Sequence, residues 1–392
     1  MLRFLDSIRN GTLDPTALIY AESTRRSYAM ELSKYEDVEQ VHTAGVNTLD
    51  IESIEGRYML SGSSDGTVVI HDTDNLRGTP KYTCQVISKI DRNYKKGHKF
   101  SVETVQWSPI DTGMFTSSDL DGSLKIWDTN TMKTVGEFRL LKRIYQHHIS
   151  PIATAHNLIA VARTTAHVTL VDLKSGCCTH ELRGHSGMVM CAKWSPNHEF
   201  MLASGSCDNS LLLWDIRTPK SVLHRFDPHN KSSASRKVSS AHNGRVNGLV
   251  FSHDGFYLYS YGTDNNLFAW NLSTGCKETV NFGKIENESR KAIKFDVTRN
   301  SNPSVIFVPC QGRICVYETQ NGILINKLVG HFNSVNCCVV HPFTPEVYSG
   351  ANDHNILVWT PYHDQSEAYS DYLQNGDGKT RETNVTNDDW SD

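Results

Sequence analysis

Along most of the chain, apolar residues recur at alternate positions over four to six residues and then stop at Gly, Asn or Asp. That pattern predicts short strands joined by tight turns. Five segments repeat it in nearly the same words: DGTVVIHD from Asp65, DGSLKIWD from Asp121, DNSLLLWD from Asp208, DNNLFAWN from Asp264 and DHNILVWT from Asp353. Four residues before each Asp stands a serine (Ser61, Ser117, Ser204, Ser260, Ser349). A histidine stands 22 or 23 residues before it (His42, His98, His185, His242, His331). Two weaker copies end at Asp172 and Glu318, with Thr165 and Gln311 in the place of the Asp. The seven closing positions are spaced by 42 to 56 residues, the period of a four-stranded repeat unit. The fold expected is all-β.

A ring of such units needs four strands in each, and almost no strand-like sequence follows Trp359. Arg26 to Leu32 (RSYAMEL) alternates like a strand and precedes the first His. It is expected to complete the last unit, closing the ring and removing two exposed sheet edges. Before it, Leu2, Phe4, Leu5 and Ile8 form one side of a short helix that Gly11 can end. Asp14 can cap a second helix with Pro15 in its first turn and a Leu13 to Leu18 staple. Helices this short need a surface to pack against. The open alternatives are the ring itself or another protein, with Phe4, Leu5 and Ile8 as anchors.

The recurring polar residues read as scaffold. A buried turn Asp must find donors, which a His ring, a Ser hydroxyl and an indole N–H can supply. The sets are His42, Ser61 and Asp65; His98, Ser117, Asp121 and Trp127; His185, Ser204, Asp208 and Trp214; His242, Ser260, Asp264 and Trp270; and His331, Ser349, Asp353 and Trp359. Ser, His and Asp also make a hydrolase triad, but an active site is built once and these sets recur five times. His147 and His148 are expected to be a scaffold residue and an exposed neighbour.

The chain has 392 residues, of which 38% are hydrophobic and 21% charged, enough apolar mass for a packed interior. No run of about eighteen apolar residues suggests a membrane span. The ten cysteines contain no CxxC pair and read as reduced thiols of a cytosolic or nuclear protein. Thirty-nine basic against forty-three acidic residues give a net charge of −4, so bulk charge does not mark a nucleic-acid binder. Two longer intervals carry basic insertions: Arg92, Lys95, Lys96 and Lys99 in the first, and Lys231, Arg236 and Lys237 among serines in the second. Residues 361–392 are acidic and expected to be a disordered tail. No phosphate loop, HExxH helix or paired zinc spacing is present, so the reading is no catalytic, metal or cofactor site.

The repeated His, Ser-x-x-x-Asp and Trp-Asp signatures resemble the WD-repeat family. The resemblance implies a seven-bladed β-propeller over residues 24–360, with a helix-loop-helix at 1–22 and the acidic tail at 361–392. Trp214-Asp215-Ile216-Arg217 further resembles the motif by which receptor subunits dock on the propeller adaptor of cullin-four RING ubiquitin ligases. Such receptors commonly insert an N-terminal helix pair into that adaptor. AESTRR at 21–26, NTLDIE at 47–52, SVETVQW at 101–107 and AHNGRVNGL at 241–249 are similar to the Cockayne syndrome type of WD-repeat protein. That type implies a nuclear, non-catalytic substrate receptor in transcription-coupled nucleotide excision repair. Its adaptor is the large subunit of the UV-damaged-DNA-binding complex, and its clients are stalled RNA polymerase II and associated repair factors. In that light Leu2, Phe4, Leu5, Ile8, Leu13, Leu18, Trp214, Asp215 and Arg217 face the adaptor. Arg92, Lys95, Lys96, Arg163, Lys231, Arg236 and Lys237 are possible client or phosphate contacts. The alternatives are a scaffold without a ligase and a direct binder of damaged DNA.

Overall fold

Seven separate sheets, each with a core of consecutive antiparallel strands, account for almost all the regular structure in the computed structural model. The model describes residues 9–11, 14–78, 81–218, 221–230 and 240–362. The innermost strands are Val46–Ile51, Val102–Trp107, Ile144–Ile149, Val189–Trp194, Val246–Phe251, Asp296–Val297 and Val335–Val340, which define blades 1 to 7. The chain is a seven-bladed β-propeller. One rim, called upper here, carries the turns from each second to third strand and the loops entering each blade. The lower rim carries the first-to-second and third-to-fourth turns.

The burial pattern of the strands shows why the alternation is imperfect. Inner strands are buried on both faces against neighbouring blades, whereas the outer strands Lys133–Arg139 and Cys177–Arg183 are largely exposed. In blades 4 and 7 the next blade approaches closely enough to require glycine after the recurring serine. A Cβ on Gly205 would lie 2.6 Å from Val246 Cγ1, and one on Gly350 would lie 2.6 Å from Val46 Cγ1.

The ring closes through the N-terminal segment. Met30–Leu32 pairs antiparallel with Ile356–Pro361, setting Met30 opposite Pro361 and Leu32 opposite Trp359. The closing strand is shorter than the expected Arg26 to Leu32, because Arg26 to Tyr28 belong to a helix, α1 (Pro15–Tyr28). Asp14 caps α1 by accepting a hydrogen bond from Thr16 N at 2.9 Å, and Pro15 opens its first turn. Glu22 pairs with Arg25 and Arg26 at 2.7 and 2.9 Å, so local i,i+3 and i,i+4 contacts carry the helix through the stretch that alternates. Thr24 then ties α1 to the lower rim: its Oγ1 accepts from Asn302 N at 3.0 Å, and Tyr28 OH donates to Glu318 Oε2 at 2.9 Å.

The extra length of the first long interval, expected to hold a basic insertion, goes partly into strand. Val68–Arg77 and Tyr82–Ile90 form a lengthened hairpin at the lower rim, and Glu36–Val38 adds to it in parallel as a fifth strand. Only Asp91 to Phe100 forms the upper loop that carries the basic residues. Leu2, Phe4, Leu5, Ile8, Leu13, Lys231, Arg236, Lys237 and the tail beyond Tyr362 lie outside the described residues.

Candidate functional site: blade scaffolds and the lower-rim face

In blade 5, His242 Nδ1 lies 3.0 Å from Asp264 Oδ1, and its Nε2 lies 2.7 Å from Ser260 Oγ. Trp270 Nε1 donates to the same hydroxyl at 2.8 Å. An ionised carboxylate only accepts, so the proton sits on Nδ1, Nε2 accepts from the serine, and the serine accepts from the indole. Every polar atom is satisfied with the imidazole neutral. Blade 7 repeats this with His331, Asp353, Ser349 and Trp359 at 2.8 to 2.9 Å. Burial, opposed by the Asp353 hydrogen bond, holds the His331 imidazole below its ordinary range.

Blades 1 and 4 insert a hydroxyl into the same chain. His42 Nδ1 bonds Thr67 Oγ1 and His185 Nδ1 bonds Ser210 Oγ, both at 2.8 Å, and each hydroxyl donates in turn to Asp65 or Asp208. The sequence explains the difference: the residue two after the Asp is Thr67 or Ser210 here, but Asn266 or Asn355 in blades 5 and 7. The Ser61 and Ser204 hydroxyls complete these two sets at 2.7 Å from the His Nε2. Blade 1 lacks the tryptophan; His71 Nε2, 3.0 Å from Ser61 Oγ, replaces the indole donor.

Blade 2 corrects the sequence assignment. Asp121 is exposed and is not part of the set. The carboxylate that His98 Nδ1 reaches, at 2.7 Å, is Asp119, which also accepts from the backbone N–H of Asp121 and Ser123 at 3.0 Å each. Ser117 and Trp127 hold the expected places, with the indole donating at 2.7 Å. The SSDLDG stretch offers two aspartates, and the one at the end of the buried strand is the one within reach of the ring.

Blade 3 has no such set. Arg163 is 8% exposed rather than a client contact: it donates to Leu140 O at 3.1 Å and lies 3.3 Å from Glu181 Oε1, filling the space a His–Asp pair takes elsewhere. His147 and His148 are on the innermost strand, not in the entering loop. His147 is buried between Thr116 and Ser118 of blade 2, at 2.8 and 2.7 Å. His148 is half-buried rather than exposed, and its Nδ1 accepts from Trp194 N at 3.0 Å. Among the described residues, no cluster of three His, Cys, Asp or Glu side chains could hold a metal ion.

The His148 contact belongs to a ring of bonds between blades that residue type does not reveal. The penultimate residue of each innermost strand faces the central channel, and four of the seven accept a hydrogen bond from the next blade's backbone. Asp50 accepts from Trp107 N (2.7 Å), Gln106 from Ile149 N (2.7 Å), His148 from Trp194 N and Asp296 from Val340 N (3.1 Å). Asp50, Gln106 and Lys193 share an offset of eight residues from their blade's histidine, but only the folded ring shows that this position faces the channel and reaches the next blade.

The two features expected to meet an adaptor share the lower rim. Arg217 lies in the third-to-fourth turn of blade 4, held by Asp215 through Nε at 3.0 Å and Nη2 at 2.8 Å and stacked 4.8 Å above the Phe200 ring. Its side chain stays 61% exposed, so one guanidinium face remains for a partner. Trp214, by contrast, is 0% exposed and cannot touch a partner; it serves the blade. Asp215 is also buried and acts by aiming Arg217. On the same rim α1 and the turns of blades 6 and 7 enclose a largely apolar cleft of about 510 Å3. Leu18 lines it half-buried, and Ile19 and Phe343 stand exposed beside it. Arg92, Lys95 and Lys96 are exposed on the opposite, upper rim.

A propeller whose repeated polar sets are consumed in holding blades, and whose rims carry exposed apolar and cationic groups, is a platform for binding other proteins. The WD domain, G-beta repeat, matches residues 35–72, 90–128, 176–215, 234–271 and 322–360. The chain is 30% identical over 409 aligned positions to the WD repeat-containing protein ATCSA-1 of Arabidopsis thaliana, covering 86% of this chain and 90% of that protein. It is 26% identical to Radiation-sensitive protein 28 of Saccharomyces cerevisiae, over 69% of this chain and 60% of that protein. A ribosome biogenesis protein, the WDR12 homolog of Drosophila persimilis, is 27% identical over 48% of this chain and 45% of that protein. The chain belongs to the WD-repeat family.

Proposed function

We propose that this chain is the substrate-recognition subunit of a cullin-four-type RING ubiquitin ligase, acting in the nucleus in transcription-coupled nucleotide excision repair. The observation that carries the reading is the placement of α1, its cleft and Arg217 together on the lower rim. Likeness to ATCSA-1 along nearly the whole chain and to a protein named for radiation sensitivity supports the repair setting. On this reading Leu2, Phe4, Leu5, Ile8, Leu13 and Leu18 dock with α1 on the adaptor, the large subunit of the UV-damaged-DNA-binding complex. Arg217 adds a directed cation that can meet a partner's carboxylate or carbonyl. The upper rim remains for stalled RNA polymerase II or its repair factors, and ubiquitin transfer belongs to other subunits.

Co-purification tests it. The intact chain should retain the adaptor, while Phe4→Asp/Leu5→Asp/Ile8→Asp should lose it and Arg217→Ala should weaken it. Retention by all three forms overturns the docking assignment and leaves a scaffold without a ligase. A second reading, direct contact with a nucleic-acid backbone, is favoured by the exposed Arg92, Lys95, Lys96 and Lys99. It requires duplex binding that weakens steeply with salt.

A further inference from the structure

We propose that the lower half of the central channel is a binding cup for an anionic group, a carboxylate or phosphate, with Lys193 as its principal contact and His148 and Arg299 assisting. The cup has a volume of about 620 Å3 and takes lining residues from all seven blades. Its mouth opens on the lower rim, among Ser53, Pro109, Pro151, Pro196, Arg299 and Pro342. At its other end Lys294 Nζ reaches across the channel to Asn47 O at 3.1 Å and to Glu103 O, and Lys291 Nζ reaches Asn47 Oδ1 at 2.7 Å.

The case for an anion comes from which groups in the cup are already satisfied. Lys193 occupies the ring position at which Asp50, Gln106, His148 and Asp296 accept a hydrogen bond from the next blade. An ammonium has no lone pair and cannot make that bond. The Lys193 ammonium makes no hydrogen bond or ion pair with any described residue. Its neighbour His148 uses Nδ1 as an acceptor, which leaves the proton on Nε2 as a second donor. Arg299 stands exposed at the mouth.

The carboxylates facing these groups already accept backbone hydrogen bonds from their own or the next blade. Asp296 accepts from Val297 N through Oδ1 at 2.9 Å and from Val340 N through Oδ2 at 3.1 Å. Asp50 Oδ2 accepts from Trp107 N at 2.7 Å, and burial pushes its carboxyl up to about 7, so it carries only part of a charge at neutral pH. Lys193 itself is held below lysine's usual range by burial, opposed by Asp50 and Asp296. An incoming anion relieves that penalty by pairing the ammonium inside a low-dielectric cup.

Such a group can arrive as a free small anion or as the acidic side chain of a peptide threaded into the mouth. Calorimetric titration of the full-length chain distinguishes the two, using sodium phosphate balanced against chloride at fixed ionic strength, and separately a blocked tetra-aspartate peptide. Saturable binding of phosphate alone assigns a free anion, and binding of the peptide alone, with none by its tetra-asparagine counterpart, assigns an acidic segment. Lys193→Met should weaken whichever binds at least about tenfold. Lys193→Arg should retain it, and Lys174→Met, an exposed lysine on the lower rim, should leave it unchanged. Near-ultraviolet circular dichroism of Lys193→Met matching the wild type keeps the comparison valid. No saturable binding of either probe, or equal binding by Lys193→Met and the wild type, overturns the proposal.

Discussion

Replacing Asp119 or Asp121 by alanine sets the sequence motif against the geometry of blade 2. The motif points to Asp121, while the structure gives the work to Asp119, which receives hydrogen bonds from His98 Nδ1, Asp121 N and Ser123 N at 2.7, 3.0 and 3.0 Å. Asp119 and His98 are 2% and 0% exposed, so water cannot take over these bonds. Hydrogen bonds to a charged group contribute about 1.5–3 kcal/mol each, and a buried donor left unpaired costs about 1–3 kcal/mol. Asp119→Ala strands two buried donors, the His98 ring and the Ser123 N–H, and should cost roughly 3–4 kcal/mol. Asp121→Ala, at an exposed turn position, should cost within about 0.5 kcal/mol. At about 2 °C per kcal/mol for a chain of this size, Asp119→Ala should melt roughly 6 °C lower in a thermal scan, and Asp121→Ala within about 1 °C of the wild type. Scans at a common rate are needed because large chains often unfold irreversibly. If Asp121→Ala proves the more damaging change, or Asp119→Ala melts with the wild type, the reassigned network is wrong.

Two further expectations follow from buried groups and from ring closure. Burial pushes the imidazoles of His42, His71 and His147 down to about 4, 3 and 3, and it also lowers those of His98, His148, His253 and His331. Between about pH 6.5 and 4 the unfolded chain therefore binds protons that the native ring excludes, and stability falls as pH falls. Asp50 and Glu103, whose carboxyls burial raises, act in the opposite direction but are fewer. The unfolding free energy from urea titrations should fall below pH 6.5 by at least about 1.4 kcal/mol per pH unit; a free energy constant from pH 7.5 to 5 contradicts this balance. Deleting residues 24–33 removes the strand that pairs Met30 to Leu32 with Trp359 to Pro361. Trypsin should then cleave the whole propeller faster, and unchanged resistance with unchanged cooperative unfolding would refute closure by this segment.

Much of this architecture is legible because repetition averages out local noise. One Trp-Asp pair carries little, but His, Ser and Asp at the same offsets five times identify blades and their closing strands. Even the route of the relay can be read, since Thr67 and Ser210 stand where Asn266 and Asn355 stand in the direct pairs. Local signals were weaker where two were superposed. Asp14, Pro15 and the Glu22 pairs mark a helix, yet the alternation of RSYAMEL also fits a strand, and the helix extends to Tyr28.

Other features depend on neighbours distant along the chain. Asp119 rather than Asp121 meets His98 because of where the buried strand ends, and Arg163 turns inward because blade 3 has no His–Asp pair to fill that space. The channel ring of Asp50, Gln106, His148, Lys193 and Asp296 follows the repeat spacing, Asp50, Gln106 and Lys193 each standing eight residues after their blade's histidine, but its inward direction and its bonds to the next blade exist only in the closed ring. Repeat number, strand order and the scaffold serines were encoded locally, because each blade must satisfy its own backbone and turn. Which polar groups were left over, at the lower rim and in the channel, was settled only when seven blades met and each could borrow its neighbour's donors.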